Sequence, residues 1–141
     1  MNIFRLSLFP LLLLPLICLA GSTILPQECW KAMQKVSSFQ ELHSETNLPP
    51  SVASACAVDL PKRRLIWAVT DHSYYVLHYE VYEQVPRPGG AIYTNFSIIV
   101  ATAPKTKGVQ PEIRGAGYTR SFKDYRTFVS HMDGPFLGNG D

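Results

Sequence analysis

Three stretches in the middle of the chain show the hydrophobic patterns of β-strands. Residues 65–70 are nearly all apolar, as in a strand that is buried on both faces. Residues 74–82 and 92–101 follow the two-residue period of strands with two different faces. The short polar break at residues 71–73 is typical of a hairpin turn. The pattern therefore predicts at least three antiparallel strands.

A fourth strand is predicted over residues 109–116, at an edge of the sheet. Pro111 has no backbone N–H to donate, so a strand that contains it is best placed where one side is unpaired. Between the second and third strands, residues 84–90 are rich in proline and glycine and form the most loop-like segment of the chain.

Helical spacing predicts helices on both sides of these strands. Apolar residues recur every three or four positions over residues 26–44, and Pro26 suits the start of a helix. A short helix is predicted over residues 51–57. The last helix is predicted to have Ser121 as its N-cap and to end at Gly134, which is followed by proline.

The order of these elements predicts an α+β fold. It consists of an N-terminal helix, an antiparallel meander of three to four strands, and a C-terminal helix packed on one sheet face. Since the helices need only one apolar face, we expect the other face to contact water or a partner. A single domain over residues 21–141 accounts for all of these elements, in keeping with a chain of 141 residues.

Residues 1–20 have the pattern of a signal peptide. Arg5 precedes an apolar stretch, and small side chains stand before a cut after Ala20, with a cut after Ser22 as the alternative. The stretch is shorter than the roughly 20 apolar residues that span a bilayer, so we expect cleavage and no stable membrane anchor. The predicted location is periplasmic or secreted.

Export bears on the cysteines. Cys18 leaves with the predicted leader, and Cys29 and Cys56 remain. Two cysteines in an oxidising compartment favour a disulfide, so we expect Cys29 and Cys56 to pair. The bond would join the N-terminal helix to the short helix that follows it. The alternative is a reactive cysteine with a histidine partner, which an available second cysteine disfavours.

Composition and charge argue against two classes of protein. A hydrophobic fraction of 46% and a charged fraction of 17% are ordinary for a globular domain, so disorder is not expected. The net charge of +2 is too small to favour binding to nucleic acid. No nucleic-acid partner is therefore predicted.

The histidines form no known motif. His43, His72, His78 and His131 lack the spacing of a zinc site, and no Cys-x-x-Cys is present. His78 and Glu80 lie two apart on a predicted strand and share a face, so they could form the acid–base couple of a small secreted hydrolase. A polar patch on the solvated face is the simpler interpretation. We expect no catalytic residue, no metal and no cofactor.

Tyrosine and arginine in the loops and on the polar face favour a protein-binding surface, because both are enriched at interfaces. The candidate partner-binding residues are Arg87, Tyr93, His78, Glu80 and Tyr82. The prolines of residues 84–90 would reduce the ordering cost on binding. A small exported binding protein is the first function class, and an envelope-associated ligand-binding module is a further alternative.

In format, the chain resembles the periplasmic immunity proteins and lysozyme inhibitors of Gram-negative bacteria. The shared features are an export signal, a similar size, an α+β pattern and a cysteine pair; no specific motif is shared. The resemblance implies that the protein neutralises a toxin, effector or cell-wall hydrolase by steric occlusion. Residues 84–90 or the polar sheet face would cover the partner's active cleft. The resemblance assigns no inhibitory residue.

Overall fold

In the computed structural model, which describes residues 25–84 and 87–132, a five-stranded antiparallel sheet runs through the middle of the protein. Its strands lie in chain order and are β1 (Gln40–Leu42), β2 (Arg63–Thr70), β3 (Tyr74–Gln84), β4 (Ile92–Thr102) and β5 (Glu112–Tyr118). The helices are α1 (Gln27–Gln34), α2 (Pro50–Asp59) and α3 (Tyr125–Ser130). The α+β class and the antiparallel meander are confirmed. The predicted leader and the helix end at Gly134 lie outside the described residues.

The turn between β2 and β3 forms as predicted. Asp71 Oδ1 accepts hydrogen bonds from the backbone N–H groups of Ser73, at 2.9 Å, and Tyr74, at 2.8 Å. His72, between Asp71 and Ser73, adopts a positive φ of 70°. An aspartate that bonds its own downstream backbone stabilises such a turn locally, which is why the polar break could be recognised.

The N-terminal helix is shorter than predicted. It ends at Gln34, and after a 3-10 turn over Val36–Ser38 the chain becomes β1, which pairs with β2. Residues three apart lie on one side of a helix but on opposite faces of a strand. Phe39 accordingly packs on one face of the sheet and Leu42 on the other. The helical spacing of residues 36–42 was therefore misleading, because this segment supplies the fifth strand of the sheet, β1.

Both faces of the sheet are covered, which corrects the expectation of one open face. One cluster joins α1 and α3 to one face, where Trp67, Val76 and Ile98 lie. The other cluster joins α2 to the opposite face, where Leu77 and Ile99 lie. Adjacent residues of β3 and β4 thus enter different cores. We call these the α1/α3 face and the α2 face.

The predicted disulfide between Cys29 and Cys56 is absent from the structure. Both cysteines are free and buried, and each belongs to the cluster on its own side of the sheet. The Cys29 thiol lies 3.9 Å from the Met33 sulfur within α1. The prediction assumed that α1 and α2 pack together, whereas the sheet separates them.

The last helix begins later than predicted. Its N-cap is Asp124, whose Oδ1 accepts from the Thr127 N–H at 2.7 Å, and not Ser121. Residues 121–124 instead run across the α1/α3 face, where Phe122 is buried. The Trp67 indole N–H donates to the Phe122 carbonyl at 2.9 Å and fixes this segment to β2. The prediction of Ser121 as the N-cap was therefore wrong.

Candidate functional site

The hairpin of β3 and β4 extends beyond the strands that flank it. The ladder between β2 and β3 ends at Val81, after which the Tyr82 N–H still donates to the Lys62 carbonyl at 3.0 Å, and β5 pairs with β4 only as far as Phe96. Beyond those points β3 and β4 continue to pair with each other, up to Gln84 opposite Ile92. We call this extension, residues 82–84 and 87–95, the arm. Three further residue pairs at the usual rise correspond to a projection of about 10 Å.

Large apolar and aromatic side chains of the arm are exposed. Ile92 is 70% exposed, Tyr93 is 45% exposed and Tyr82 is 36% exposed. In the part of the chain that the structure describes, only Val58 and Val109 join them as exposed large hydrophobic residues. Three of five such residues therefore lie on this short ribbon. Exposed apolar clusters on a small protein commonly mark a surface that binds a partner.

Arg87 lies at the tip of the arm in a tight turn. The Gly90 N–H donates to the Arg87 carbonyl at 2.9 Å, and Gly89 has a positive φ of 69°. Pro88 and Gly89 thus occupy the two central positions where proline and glycine are favoured in a type II turn. The Arg87 side chain is exposed, so the structure places this predicted residue where a partner could reach it.

Glu80 and Tyr82 lie together on the α1/α3 side of the hairpin. The Tyr82 hydroxyl donates to Glu80 Oε2 at 2.9 Å, and Arg64 forms an ion pair with the same carboxylate. The hydrogen bond from Tyr82 and the charge of Arg64 lower the pKa of Glu80. The carboxylate is therefore held ionised at the base of the arm, next to an exposed aromatic ring.

Tyr93 lies on the opposite side of the arm, directly across from Glu83. Interaction with the Glu83 carboxylate raises the pKa of Tyr93. Asn95 Nδ2 donates to Glu83 Oε2 at 3.1 Å. The predicted binding residues are thus divided between two sides of one ribbon.

His78 does not belong to the binding surface. It is completely buried on the α1/α3 face. Its Nδ1 lies 3.1 Å from the Ser97 carbonyl, and its Nε2 accepts from the Phe122 N–H at 3.0 Å. Burial lowers the pKa of His78, so the neutral ring is favoured. The prediction of a solvated His78 was wrong.

The proposed acid–base couple of His78 and Glu80 is not formed either. Both ring nitrogens of His78 are engaged in the core, and the Ser121 hydroxyl is also within 3.1 Å of Nε2. Glu80 is engaged with Arg64 and Tyr82 instead. His78 and Glu80 do lie on the same side of the sheet, as their spacing on one strand predicts. The segment containing Phe122 covers His78 there but not Glu80.

A groove of about 320 Å³ lies beside the base of the arm on the α2 face. Glu83, Asn95 and Ser97 line it from the hairpin, Gly117 lines it from β5, Thr119 lines it from just after β5, and Leu60 lines it from the end of α2. Val81, which is 7% exposed, supplies an apolar part of the wall. The groove therefore combines an apolar wall with a carboxylate at its outer end.

Sequence reasoning missed Ile92, Glu83, Asn95 and Gly117 as members of this site. Their position depends on the register of β3 and β4 and on where β2 and β5 stop, and neither is visible in one sequence. One signal was available: the predicted second and third strands, over 74–82 and 92–101, are longer than the first. Two long neighbours beside a short strand indicate a hairpin that outreaches its sheet.

The described residues offer neither a metal site nor a membrane-spanning helix. No group of three or more histidine, cysteine, aspartate or glutamate side chains there could hold a metal ion. Within residues 25–84 and 87–132, no helix has the length and apolar character needed to cross a membrane. No family model, curated protein or solved structure matches the chain. The function must therefore be argued from the arm and the groove.

Proposed function

We propose that the protein is an exported binding protein that neutralises a partner protein. The partner class that fits best is a cell-envelope-targeting toxin, effector or hydrolase, which would make the protein an immunity protein or inhibitor. The observation that supports this most directly is the arm, whose exposed Tyr82, Ile92 and Tyr93 contribute little to either core. The signal-like residues 1–20 are consistent with a target outside the cytoplasm.

The arm is suited to steric occlusion because its described strands already pair with each other. At its tip, the described residues Arg87 and Gly90 are joined by a backbone hydrogen bond. A ribbon that already has its bound shape loses less conformational entropy in a complex. A projection of about 10 Å is enough to enter an active-site cleft while both cores stay outside it.

Arm variants paired with matched controls test the proposal. The protein, expressed with its leader, is immobilised and used to capture partners from its source, and captured hydrolases or toxins are then assayed for inhibition. Ile92→Ser and Tyr93→Ala should each weaken capture and inhibition, by about tenfold for Ile92, because burying such a side chain contributes about 1–2 kcal/mol. The matched controls are Val109→Ser and Val58→Ser, which change exposed valines outside the arm.

Three outcomes can be distinguished. Loss of inhibition in the arm variants, with full inhibition in the valine controls and unchanged unfolding midpoints in all four, supports the proposal. Equal inhibition by arm variants and controls would show that another surface binds. A captured partner with no hydrolase or toxin activity would refute the neutralising role even if the arm binds it.

A further inference from the structure

The groove beside the arm contains a carboxylate that forms no ion pair within residues 25–84 and 87–132. Three other glutamates each pair with an arginine: Glu45 with Arg63, Glu80 with Arg64, and Glu112 with Arg114. Glu83 forms no such pair with any described residue. It accepts a hydrogen bond from Asn95, which is neutral and orients the carboxylate without cancelling its charge. A fixed, uncompensated anion is a favourable contact for a cation.

The floor of the groove is open because residue 117 is glycine. A Cβ built on Gly117 would meet no atom within 4 Å, and its φ is outside the positive range that favours glycine. Neither packing nor backbone geometry within the described protein therefore requires glycine here. At Gly115, two residues earlier on the same face, a Cβ would lie 2.8 Å from the Ile99 side chain. A glycine inside a strand that has no internal cause often marks the close approach of another group.

The distance between floor and carboxylate suits one class of side chain. Asn95 is two residues from Ser97 on β4, and Gly117 lies opposite Ser97 on β5, so Asn95 and Gly117 are diagonal neighbours about 8 Å apart. Glu83 belongs to β3 and accepts from Asn95 at 3.1 Å, so its charge lies at the far end of this diagonal from the glycine. An extended lysine or arginine side chain that crosses Gly117 can lay its apolar stem along the diagonal and present its cationic head to the carboxylate.

We propose that the groove receives one basic side chain of the partner protein. Its stem lies over Gly117 against Val81, and its ammonium or guanidinium group bonds the Glu83 carboxylate. The Asn95 amide oxygen offers a second acceptor, since Asn95 Nδ2 is directed to Glu83. This inference rests on the proposed function, because it specifies how the same surface recognises its partner. It adds a charge requirement to the apolar contact that the arm provides.

Small probes test the groove without the partner. The isotope-labelled protein is titrated with N-acetyl-lysine amide and with N-acetyl-arginine amide while backbone amide resonances are followed. N-acetyl-norleucine amide is the neutral control, because it keeps the aliphatic stem and lacks the charge. We expect saturable shifts at Glu83, Asn95 and Gly117 with the basic probes, with dissociation constants around the millimolar range, and no saturable shift with norleucine.

Two variants and one control separate charge from shape. Glu83→Gln keeps the size of the side chain and removes the charge, and it should weaken the basic probes by about tenfold or more. Gly117→Val fills the open floor and should abolish binding while the protein stays folded, because a Cβ at this position meets no atom within 4 Å. Glu41→Gln, on an exposed carboxylate of β1, should bind like the wild type. Absence of shifts, binding of norleucine as tight as lysine, or full binding in Glu83→Gln would each overturn the proposal.

The same variants distinguish this inference from the proposed function. If the probes bind as expected but Ile92→Ser and Tyr93→Ala leave inhibition intact, the groove stands and the arm proposal fails. If the arm variants lose inhibition but the probes do not bind, the arm proposal stands and the groove proposal fails.

Discussion

Replacing His78 by alanine should destabilise the protein severely, although the residue lies near the candidate site. The ring is fully buried between the sheet and the segment that precedes α3. It accepts from the Phe122 N–H at 3.0 Å and hydrogen-bonds the Ser97 carbonyl at 3.1 Å. Alanine would leave both backbone groups without this partner in the core.

The magnitude follows from the contacts that are lost. An orphaned buried N–H at Phe122 costs about 1–3 kcal/mol, and the lost bond to Ser97 costs about 1 kcal/mol. The ring also contacts Trp67, Phe96 and Phe122, with centroids 5.2, 5.9 and 5.8 Å away, so its removal opens a cavity that costs a comparable amount. The expected loss is about 3–5 kcal/mol, which is a large part of the stability of a domain of this size.

Urea unfolding at pH 7.5, followed by tryptophan fluorescence and circular dichroism, measures this loss. The matched control is His43→Ala, because His43 is exposed and should change stability by less than about 0.5 kcal/mol. A His78→Ala protein within about 1 kcal/mol of the wild type would refute the assignment of His78 as a buried connector. Normal stability combined with loss of a hydrolytic activity would instead restore the catalytic interpretation.

Two further predictions concern titration and thiols. Because burial lowers the pKa of His78, the unfolded state binds a proton at higher pH than the folded state. The free energy of unfolding should therefore be unaffected by this group above pH about 6.5 and should fall by up to about 1.4 kcal/mol per pH unit below it. His78→Gln should lack this dependence on pH, and a wild-type slope identical to that of the variant would contradict the prediction. Dithiothreitol should leave the unfolding midpoint unchanged, since Cys29 and Cys56 are free, and burial raises the pKa of Cys29 to about 12, so a thiol reagent at pH 8 should not label it before unfolding. A midpoint lowered by the reductant would indicate a disulfide.

Local patterns were enough to predict the sheet but not that helices cover both of its faces. The strands over 65–70, 74–82 and 92–101 each appear in the structure with extended ends, because alternation is a property of the strand itself. The placement of α1 and α2 on opposite faces depends on how the connection through β1 crosses the edge of the sheet. That crossing has no local pattern, and the predicted disulfide failed for the same reason.

The candidate site was predicted in part for a similar physical reason. Arg87, Tyr82 and Tyr93 are accessible on the arm, as the turn chemistry and residue types suggested. His78 was misplaced because one face of β3 changes environment along its length: the segment with Phe122 covers position 78 and stops before position 82. The alternation of residues along a strand predicts which face a side chain lies on. Whether that side chain is buried depends, for His78, on a segment about forty residues away in the chain.

The positions of the first and last described residues affect how the protein can be presented to a partner. Leu25 and Met132 belong to the same cluster on the α1/α3 face, and the Tyr125 hydroxyl donates to the Met33 carbonyl at 2.7 Å, which joins the two terminal helices. The chain therefore enters and leaves the described fold on the side opposite the groove. A fluorophore, affinity tag or solid support attached next to Leu25 or Met132 would therefore leave the groove on the α2 face directed outward.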